Sequence, residues 1–534
     1  MQIASNSFIN AWRSIGWRRP GLIALSGILS VLIFPSFDLE IAAWLAFIPL
    51  FAALQGESLK NAFWIGWGTG VVHFLGTLYW VTVAMNVYGH IPKSVSAFLL
   101  IVQVMYVALY FGVFTMLMRY LEKHTCIPLV VSAPVVWTAL EYIRTYFFIG
   151  FPWNLLGYSQ HLTPVMIQFA DVTGVYGVSF LVMLVNAGLY TCFLSVQTRK
   201  SKILTGSVTA GCIGVCALYG FVTLASFERA ASTTETVRVA VIQGNIDQRI
   251  KWDTAFKDHI LDTYLRLSAD ALQEQPELII WPETAAPFAF KYEWPYREKL
   301  VRAVQEWKTP LLFGVPDIVP ATVPKQYNSL NSAFLLSSQG VLVAQYDKIH
   351  LVPFGEYIPF KKILFFVEKL VTAIGEVISG ETYTVMPFHD APFSTVICFE
   401  IIFPNLVRKF VDSGAQFLVT ITNDAWYGRT SAPHQHFAMA TFRAVENRVS
   451  IARAANTGVS GFIDPMGRIR AQSDLFVEDV LVDNISVRTS TTFYTHYGDV
   501  FAVSCLLLAT IWGMKAWYNK RKTKNSTAIG RTIY

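Results

Sequence analysis

Ser394-Thr395-Val396-Ile397-Cys398-Phe399-Glu400 is a short apolar, β-branched run that ends on a thiol, with a carboxylate two residues further on. A run of this length and composition reads as a buried strand. Two other stretches in the second half of the chain have the same build. Glu277–Trp281 leads through Pro282 to Glu283, and Val341–Tyr346 leads through Asp347 to Lys348. A thiol, a carboxylate and an ammonium at three strand ends are the parts of a thiol-based acyl-transfer site.

Each residue has an ordinary reading when taken alone. A cysteine on an apolar strand is usually a small core residue. Glu283 would serve near a helix N-terminus, and Lys348 on a solvated surface. Together they are chemically self-sufficient. Cys398 is the nucleophile once its proton is removed, and Glu283 is a base that can remove it. Lys348 favours negative charge on sulfur and, with the backbone N–H of Phe399, on the oxyanion of a tetrahedral intermediate.

Around these peptides the pattern alternates between short strands and amphipathic helices. Strands are expected at Val237–Ile246, Glu277–Trp281, Pro310–Val315, Ser332–Ser338, Val341–Tyr346, Ser394–Cys398, Gln416–Asn423, Val449–Ala454 and Val459–Ile463. Helices are expected at Trp252–Gln273, Tyr296–Trp307, Pro404–Asp412 and His434–Arg448. Mixed alternation of this kind argues for an α/β sandwich with buried sheets.

The rest of the chain has a different composition. Of 534 residues, 53% are hydrophobic and only 15% charged, against about 25% charged in ordinary soluble domains. Apolar spans are expected at 21–36, 39–56, 62–85, 95–118, 127–147, 174–196, 203–226 and 498–518, since about 20 apolar residues cross a bilayer. The chain thus divides into a membrane domain of seven spans (1–226), a polar domain (227–497), and a last span with a basic tail (498–534). The first span is followed at once by a second and lacks a small-residue cleavage site, so it does not read as a cleaved signal peptide.

Lys and Arg set the orientation. With a cytoplasmic N-terminus, Arg13, Arg18, Arg19, Lys60, Arg119, Lys123, Arg199, Lys200, Lys202 and the tail from Lys515 to Lys524 all lie inside. Only Lys93 and Arg144 lie in the opposite short loops. This places 227–497 on the non-cytoplasmic face and both termini in the cytoplasm. The net charge of +6 reflects this asymmetry rather than a nucleic-acid surface. Glu141 and Arg144 are spaced i,i+3 for a pair on one helix face. The aromatic loop 145–173 reads either as an interfacial belt or as a lipid-facing wall of a site.

Other chemistries have weaker support. The six cysteines, Cys126, Cys192, Cys212, Cys216, Cys398 and Cys505, form no CxxC pair and no disulfide framework. His434 and His436 could join Cys398 as metal ligands, but His-x-His without an acidic partner at fixed offset is a weak signal. There is no G-x-S-x-G elbow, no P-loop and no dinucleotide-binding glycine pattern. Neither a metal nor a cofactor is called for.

Trp-Pro-Glu283, Tyr-Asp-Lys348 and Cys398-Phe-Glu400 together resemble the nitrilase superfamily over residues 235–487. That resemblance implies a Glu-Lys-Cys triad on an αββα sandwich. The whole chain resembles the apolipoprotein N-acyltransferase family. The narrower match rests on Gly150-Phe-Pro-Trp153, Gln243-Gly-Asn245 with Lys251-Trp252, Pro353-Phe-Gly-Glu356-Tyr357 and Asn423-Asp-Ala-Trp426. It implies an eight-span bacterial inner-membrane protein with a periplasmic nitrilase-like domain. The expected triad is Glu283, Lys348 and Cys398. Glu356, Glu400, Trp252, Trp426 and Gly150 are the expected supporting residues. Phe399 stands where the family often has Tyr. The implied reaction is ping-pong: Cys398 takes the sn-1 acyl group of a phospholipid, phosphatidylethanolamine in the family, as a thioester. The α-amine of an S-diacylglyceryl-cysteine on an apolipoprotein then receives it. Phe354, Tyr357, Ile358, Phe360, Leu364, Phe365 and Phe366 would suit a lipid-touching lid, with Lys361 and Lys362 near headgroups. A membrane-anchored amidase that uses water is the alternative, and a transporter or receptor with a ligand-binding domain is the non-enzymatic one.

Overall fold

The computed structural model describes residues 18–230, 234–320, 327–359, 377–488 and 490–531. The polar half contains two stacked sheets. The first has six strands in the order β11-β1-β2-β3-β4-β5: β1 Thr236–Gln243, β2 Leu278–Ile280, β3 Leu311–Pro320, β4 Tyr327–Leu336, β5 Leu342–Asp347 and β11 Asp479–Ser486. The second has five in the order β10-β9-β8-β7-β6: β6 Phe393–Ile397, β7 Phe417–Thr422, β8 Ile451–Ala455, β9 Gly461–Ile463 and β10 Ile469–Gln472. Strands β1 to β3 are mutually parallel, as are β6 to β8, and the remaining pairs are antiparallel.

The two-residue side-chain period of a strand explains why both faces are buried. On the first sheet Val239, Val241, Leu278, Ile280, Leu312, Ala333 and Leu335 join the core between the sheets. Their neighbours Ala240, Ile242, Ile279, Leu311, Phe313, Phe334 and Leu336 pack instead on helices Lys257–Ala271 and Trp294–Trp307. Helices Pro404–Asp412 and Ala432–Asn447 belong to the second sheet's half. The result is the expected αββα layering.

Nine expected strands and four helices appear, with shifted ends. The helix expected from Trp252 begins only at Lys257, because Asp253 accepts from the N–H of Ala255 at 3.0 Å and caps a short 3₁₀ turn first. Strands β10 and β11 were not expected. β10 is short, and both are half-exposed along most of their length, so neither shows a clear hydrophobic pattern.

The membrane half holds several apolar helices but does not confirm the count of eight spans. Among the described residues, four helices are long and apolar enough to cross a bilayer: Lys93–His124, Val175–Phe193, Arg199–Ala230 and Val500–Thr523. Leu59–Leu78 with Val81–Tyr88, bent by 55°, makes a fifth if the pair is one span. The expected span 39–56 is a 3₁₀ turn, Glu40–Trp44, followed by the short helix Ile48–Leu54 with a proline at its start. Arg18–Leu32 has 15 residues, about 22 Å at 1.5 Å per residue, against a hydrocarbon core of about 30 Å. Leu129–Tyr146 has 18 residues, contains Pro134 and is largely buried in protein.

Helices Leu59–Leu78 and Lys93–His124 pack at close range. A Cβ on Gly66 would come within 2.4 Å of the Phe111 carbonyl, and Thr115 Oγ1 donates to the Ala62 carbonyl at 2.7 Å. Small residues allow such approach between apolar helices. Asn519 Nδ2 donates to the His124 carbonyl at 2.8 Å, so the end of the last helix meets the end of Lys93–His124.

One apolar core runs through both halves, and polar bonds cross the seam. Glu446 Oε1 accepts the N–H of Val175 at 2.9 Å. Arg448 Nη2 pairs with Asp171 Oδ2 at 2.8 Å. Gln168 Nε2 donates to the Met466 carbonyl at 2.9 Å. Glu141 and Arg144, expected as a pair, each serve the loop beyond their helix. Glu141 Oε1 accepts from Leu156 N–H at 2.7 Å, and Arg144 Nη2 donates to the Asn154 carbonyl at 3.4 Å. Of the expected lid, Phe354 and Tyr357 are exposed and Ile358 is half-buried. Phe360, Lys361, Lys362, Leu364, Phe365 and Phe366 lie outside the described residues, as does Arg13.

Candidate active site

Parallel strands end on the same side of a sheet, and the residues just past those ends converge. Glu283 follows β2, Lys348 follows β5, Cys398 follows β6 and Asn423 follows β7. All four are buried. Glu283 Oε1 accepts from Asn331 Nδ2 at 2.7 Å, and Oε2 accepts the N–H of Asn423 at 2.8 Å. Lys348 Nζ lies 2.9 Å from Glu356 Oε1 and 3.7 Å from Glu283 Oε1. The expected carboxylate and ammonium are therefore neighbours, with Glu356 beside them. Glu356 is held in turn by Asn331 Nδ2 at 3.0 Å and the N–H of Val352 at 2.7 Å.

Electrostatics assign the protons. Burial alone would lower the Lys348 pKa, but Glu356 and Glu283 outweigh it and push the ammonium above its usual range. Burial pushes the Cys398 thiol up, Glu283 adds to the rise, and Lys348 pulls it partly back. Burial and Glu283 thus favour the neutral thiol, and Lys348 opposes them. A thiol so raised suits removal of its proton as attack proceeds, which a neighbouring carboxylate can perform.

Cys398 sits at the abrupt change from β6 to the 3₁₀ turn Cys398–Ile402, with φ +54°. The left-handed region is sparsely populated by residues with a Cβ, and such strain clusters at functional sites. Glu400 braces the turn. Its Oε2 accepts the N–H of Ile397 at 2.7 Å. Its Oε1 accepts from Tyr346 Oη at 2.7 Å, Ile349 N–H at 2.8 Å and His350 N–H at 3.0 Å. Glu400 therefore ties the thiol-bearing turn to the chain just after Lys348, and its carboxylate oxygens are taken up by that task.

The other expected residues surround this group. Phe399 is buried, its ring 5.2 Å from that of Phe403 and 6.1 Å from that of His350, so an aromatic ring at this position packs without a hydroxyl. Gly150 has φ +70°, and a Cβ there would lie 2.5 Å from the Thr145 carbonyl and 3.9 Å from the Phe403 ring. Only glycine fits that turn. Trp426 is half-buried with its ring 5.5 Å from Tyr88 of the bent helix pair. Trp252 is 54% exposed on the loop after β1, next to Lys251, which bonds the Glu283 carbonyl. The aromatic loop is no simple interfacial belt: Trp153 is fully buried and donates to Gln435 Oε1 at 2.7 Å.

His434 and His436 diverge. His434 is exposed, whereas His436 is buried against Asp424 and the Cys398 carbonyl. Among the described residues no group of three His, Cys, Asp or Glu side chains is arranged to hold a metal ion.

Sequence reasoning missed two residues. Asn331 bridges Glu283 and Glu356 from the middle of β4, and its antiparallel register with β3 and β5 brings it there. Lys251 is buried and donates to the Glu283 carbonyl at 3.0 Å. Burial lowers its ammonium to about 8, with Glu283 and Cys398 acting the other way. Its motif, Lys251-Trp252, was visible, but nothing local marks the lysine as the buried member of the pair.

Residues 26–188 match the apolipoprotein N-acyltransferase N-terminal domain, and residues 238–493 match the carbon-nitrogen hydrolase domain. An apolipoprotein N-acyltransferase of Geobacter metallireducens is 42% identical over 508 residues, covering 94% of this chain and 96% of that protein. That of Chlorobaculum tepidum is 34% identical, covering 93% and 96%, and that of Pasteurella multocida is 32% identical, covering 90% and 93%. This likeness runs through both the membrane half and the sandwich that carries Glu283, Lys348 and Cys398. The chain belongs to the apolipoprotein N-acyltransferase family.

Proposed function

We propose that this enzyme N-acylates the N-terminal S-diacylglyceryl-cysteine of apolipoproteins, the last step of bacterial lipoprotein maturation, with a phospholipid as acyl donor. The observation that carries the reading is a buried thiol beside a buried carboxylate–ammonium pair, in a domain fused through one core to apolar helices. A hydrolase needs only an anchor, whereas two lipid substrates need a site at the bilayer.

In the first half-reaction Glu283 takes the thiol proton as Cys398 Sγ bonds to the sn-1 ester carbonyl carbon. Lys348 and the Phe399 N–H stabilise the oxyanion. The intermediate collapses, the ester C–O bond breaks, and the leaving lysophospholipid oxygen takes the proton from Glu283. A thioester remains on Cys398. In the second, the acceptor's α-amine attacks the thioester, Glu283 accepts an amine proton, and the C–S bond breaks. The released sulfur regains that proton and the amide leaves. Glu356 holds Lys348 in place, and Glu400 and Gly150 shape the turns on which the site depends. Trp252 and Trp426 would meet lipid substrate from the loop and the bent-helix side respectively.

Phosphatidylethanolamine is the donor the family resemblance favours. The same reading takes the protein as multi-pass in the bacterial inner membrane with eight spans, short segments included. It assigns residues 227–497 to the periplasm and both termini to the cytoplasm.

The test incubates purified protein with phosphatidylethanolamine and a diacylglyceryl peptide, and follows both products by mass spectrometry. An acyl adduct on Cys398 and an N-acyl peptide are expected, with neither from Cys398→Ala. Free fatty acid without N-acyl peptide would sink the transferase reading in favour of the amidase-type hydrolase.

A further inference from the structure

Behind the thiol lies a buried polar cluster with no place in the proton transfers above. His436 Nε2 is 3.1 Å from the Cys398 carbonyl oxygen. A carbonyl only accepts, so this bond requires the proton on Nε2. On the other side of the ring, Nδ1 lies 3.0 Å from Asp424 Oδ1 and 3.0 Å from Arg453 Nη2. Arg453 Nη2 also binds Asp424 Oδ2 at 2.8 Å, and its Nε donates to the Val459 carbonyl at 3.1 Å. Thr422 Oγ1 donates to Asp424 Oδ1 at 2.9 Å. His436, Arg453 and Asp424 are all buried, His436 and Arg453 completely.

The imidazole is also held from the membrane half. The Trp153 ring stacks on it, with centroids 5.7 Å apart and planes 27° apart. Trp153 Nε1 and Trp80 Nε1 both donate to Gln435 Oε1, at 2.7 and 3.2 Å. Gln435 Nε2 donates to the Pro35 carbonyl at 3.1 Å. The ring is therefore fixed by an ion pair on one edge and by membrane-half aromatics on one face. Its remaining edge touches the backbone of a cysteine in a left-handed conformation.

We propose that His436 is a positioning residue for acyl transfer: its Nε2–H holds the Cys398 carbonyl, and so fixes the left-handed turn that aims Sγ. Trp153 seats the ring, which makes the nucleophile's geometry depend on how the membrane half docks. The inference rests on Cys398 being the nucleophile, as proposed above. His436 touches no reacting atom and takes no proton in the reaction. A shift of about 1 Å in a reacting group costs about 100-fold in rate, and release of this carbonyl permits such a shift.

The experiment compares His436→Met with His436→Gln, side chains of equal length of which only the second can donate to the carbonyl. The readout is the single-turnover rate of Cys398 thioester formation from phosphatidylethanolamine in detergent micelles, with its dependence on lipid concentration and with thermal unfolding of each variant. Expected is a loss of about 100-fold for His436→Met, at a half-saturating lipid concentration within about twofold of the parent, and recovery of at least about tenfold by His436→Gln. A His436→Met rate within about threefold of the parent, or equal losses in the two variants, overturns the inference. If His436→Met does not fold, His436→Gln decides alone: within about tenfold of the parent supports the role, and a loss beyond about 100-fold overturns it. The parent and Cys398→Ala are run alongside. A parent that forms no thioester defeats the proposed function itself, whereas undiminished thioester formation in His436→Met defeats only the positioning role.

Discussion

Glu283 Oε2 accepts the backbone N–H of Asn423 at 2.8 Å, so the carboxylate that follows a strand of one sheet is fastened to the end of a strand of the other. The site exists only where the two sheets face each other. Glu283→Gln keeps an oxygen for that bond but cannot take a proton. Acyl transfer should fall by about 100- to 10,000-fold, with little change in thermal unfolding in detergent. Activity within tenfold of the parent would remove Glu283 from the role of base.

Lys348 is buried between Glu356 and Glu283. Lys348→Met leaves two buried carboxylates without their cation, which should destabilise the fold by about 3–5 kcal/mol. Adding Glu356→Gln should recover part of that stability and none of the activity. Denaturant unfolding of the two single variants and the double variant measures the coupling. Strictly additive losses would show that the pair is not energetically linked.

The thiol itself reports the field around it. Burial and then Glu283 raise the Cys398 pKa, and Lys348 opposes them. Alkylation of Cys398 by iodoacetamide should therefore keep rising with pH beyond the ordinary thiol range. Glu283→Gln removes a raising charge and should move the profile to lower pH, and Lys348→Met should move it higher. Opposite displacements would contradict the assignment of charges.

Asp424 gives a stability signature at low pH. Burial raises its pKa, but Arg453 and His436 outweigh this and hold the carboxyl at about 2 against 3.8. A carboxyl with a depressed folded-state pKa stabilises above its unfolded value. Here the contribution is about 2 kcal/mol, complete above about pH 4 and lost as pH falls towards 2. Unfolding measured between pH 5 and 2 should be less steeply pH-dependent in Asp424→Asn than in the parent, although the variant is less stable overall because Arg453 loses its partner. Equal slopes would show that Asp424 does not titrate in this window.

Orientation can be read from one native cysteine. Cys126 is exposed and follows His124, whose carbonyl is bound by Asn519 of the last helix. With both on the cytoplasmic side, a membrane-impermeant maleimide should label Cys126 in inside-out vesicles and not in spheroplasts. Protease should reach residues 227–497 in spheroplasts. The reverse pattern overturns the topology.

Local pattern was enough to locate the strand ends that carry Glu283, Lys348 and Cys398, because a buried strand announces itself by an unbroken apolar run. It failed at β10 and β11, which are half-exposed edge-side strands with a diluted hydrophobic signal. It also named more spans than there are long apolar helices among the described residues. Leu129–Tyr146 is largely buried in protein, whereas 39–56 is part buried and part exposed, and apolarity alone does not separate burial in protein from burial in lipid.

The candidate chemistry was legible residue by residue: a thiol, a carboxylate and an ammonium follow from side-chain type and from position at a strand end. The geometry was not. Asn331 reaches two carboxylates only through the registers of β4 with β3 and β5, and Lys251 reaches the Glu283 carbonyl only by folding back of the loop after β1. His436 and Trp153 are 283 positions apart in the chain, yet their rings stack behind the Cys398 carbonyl. Hydrogen bonds and ring contacts act over a few ångströms, whereas sequence patterns report only neighbours along one strand or one helix. The kinds of groups brought together were therefore set by the residues, and their placement by the packing of two sheets and a membrane half around them.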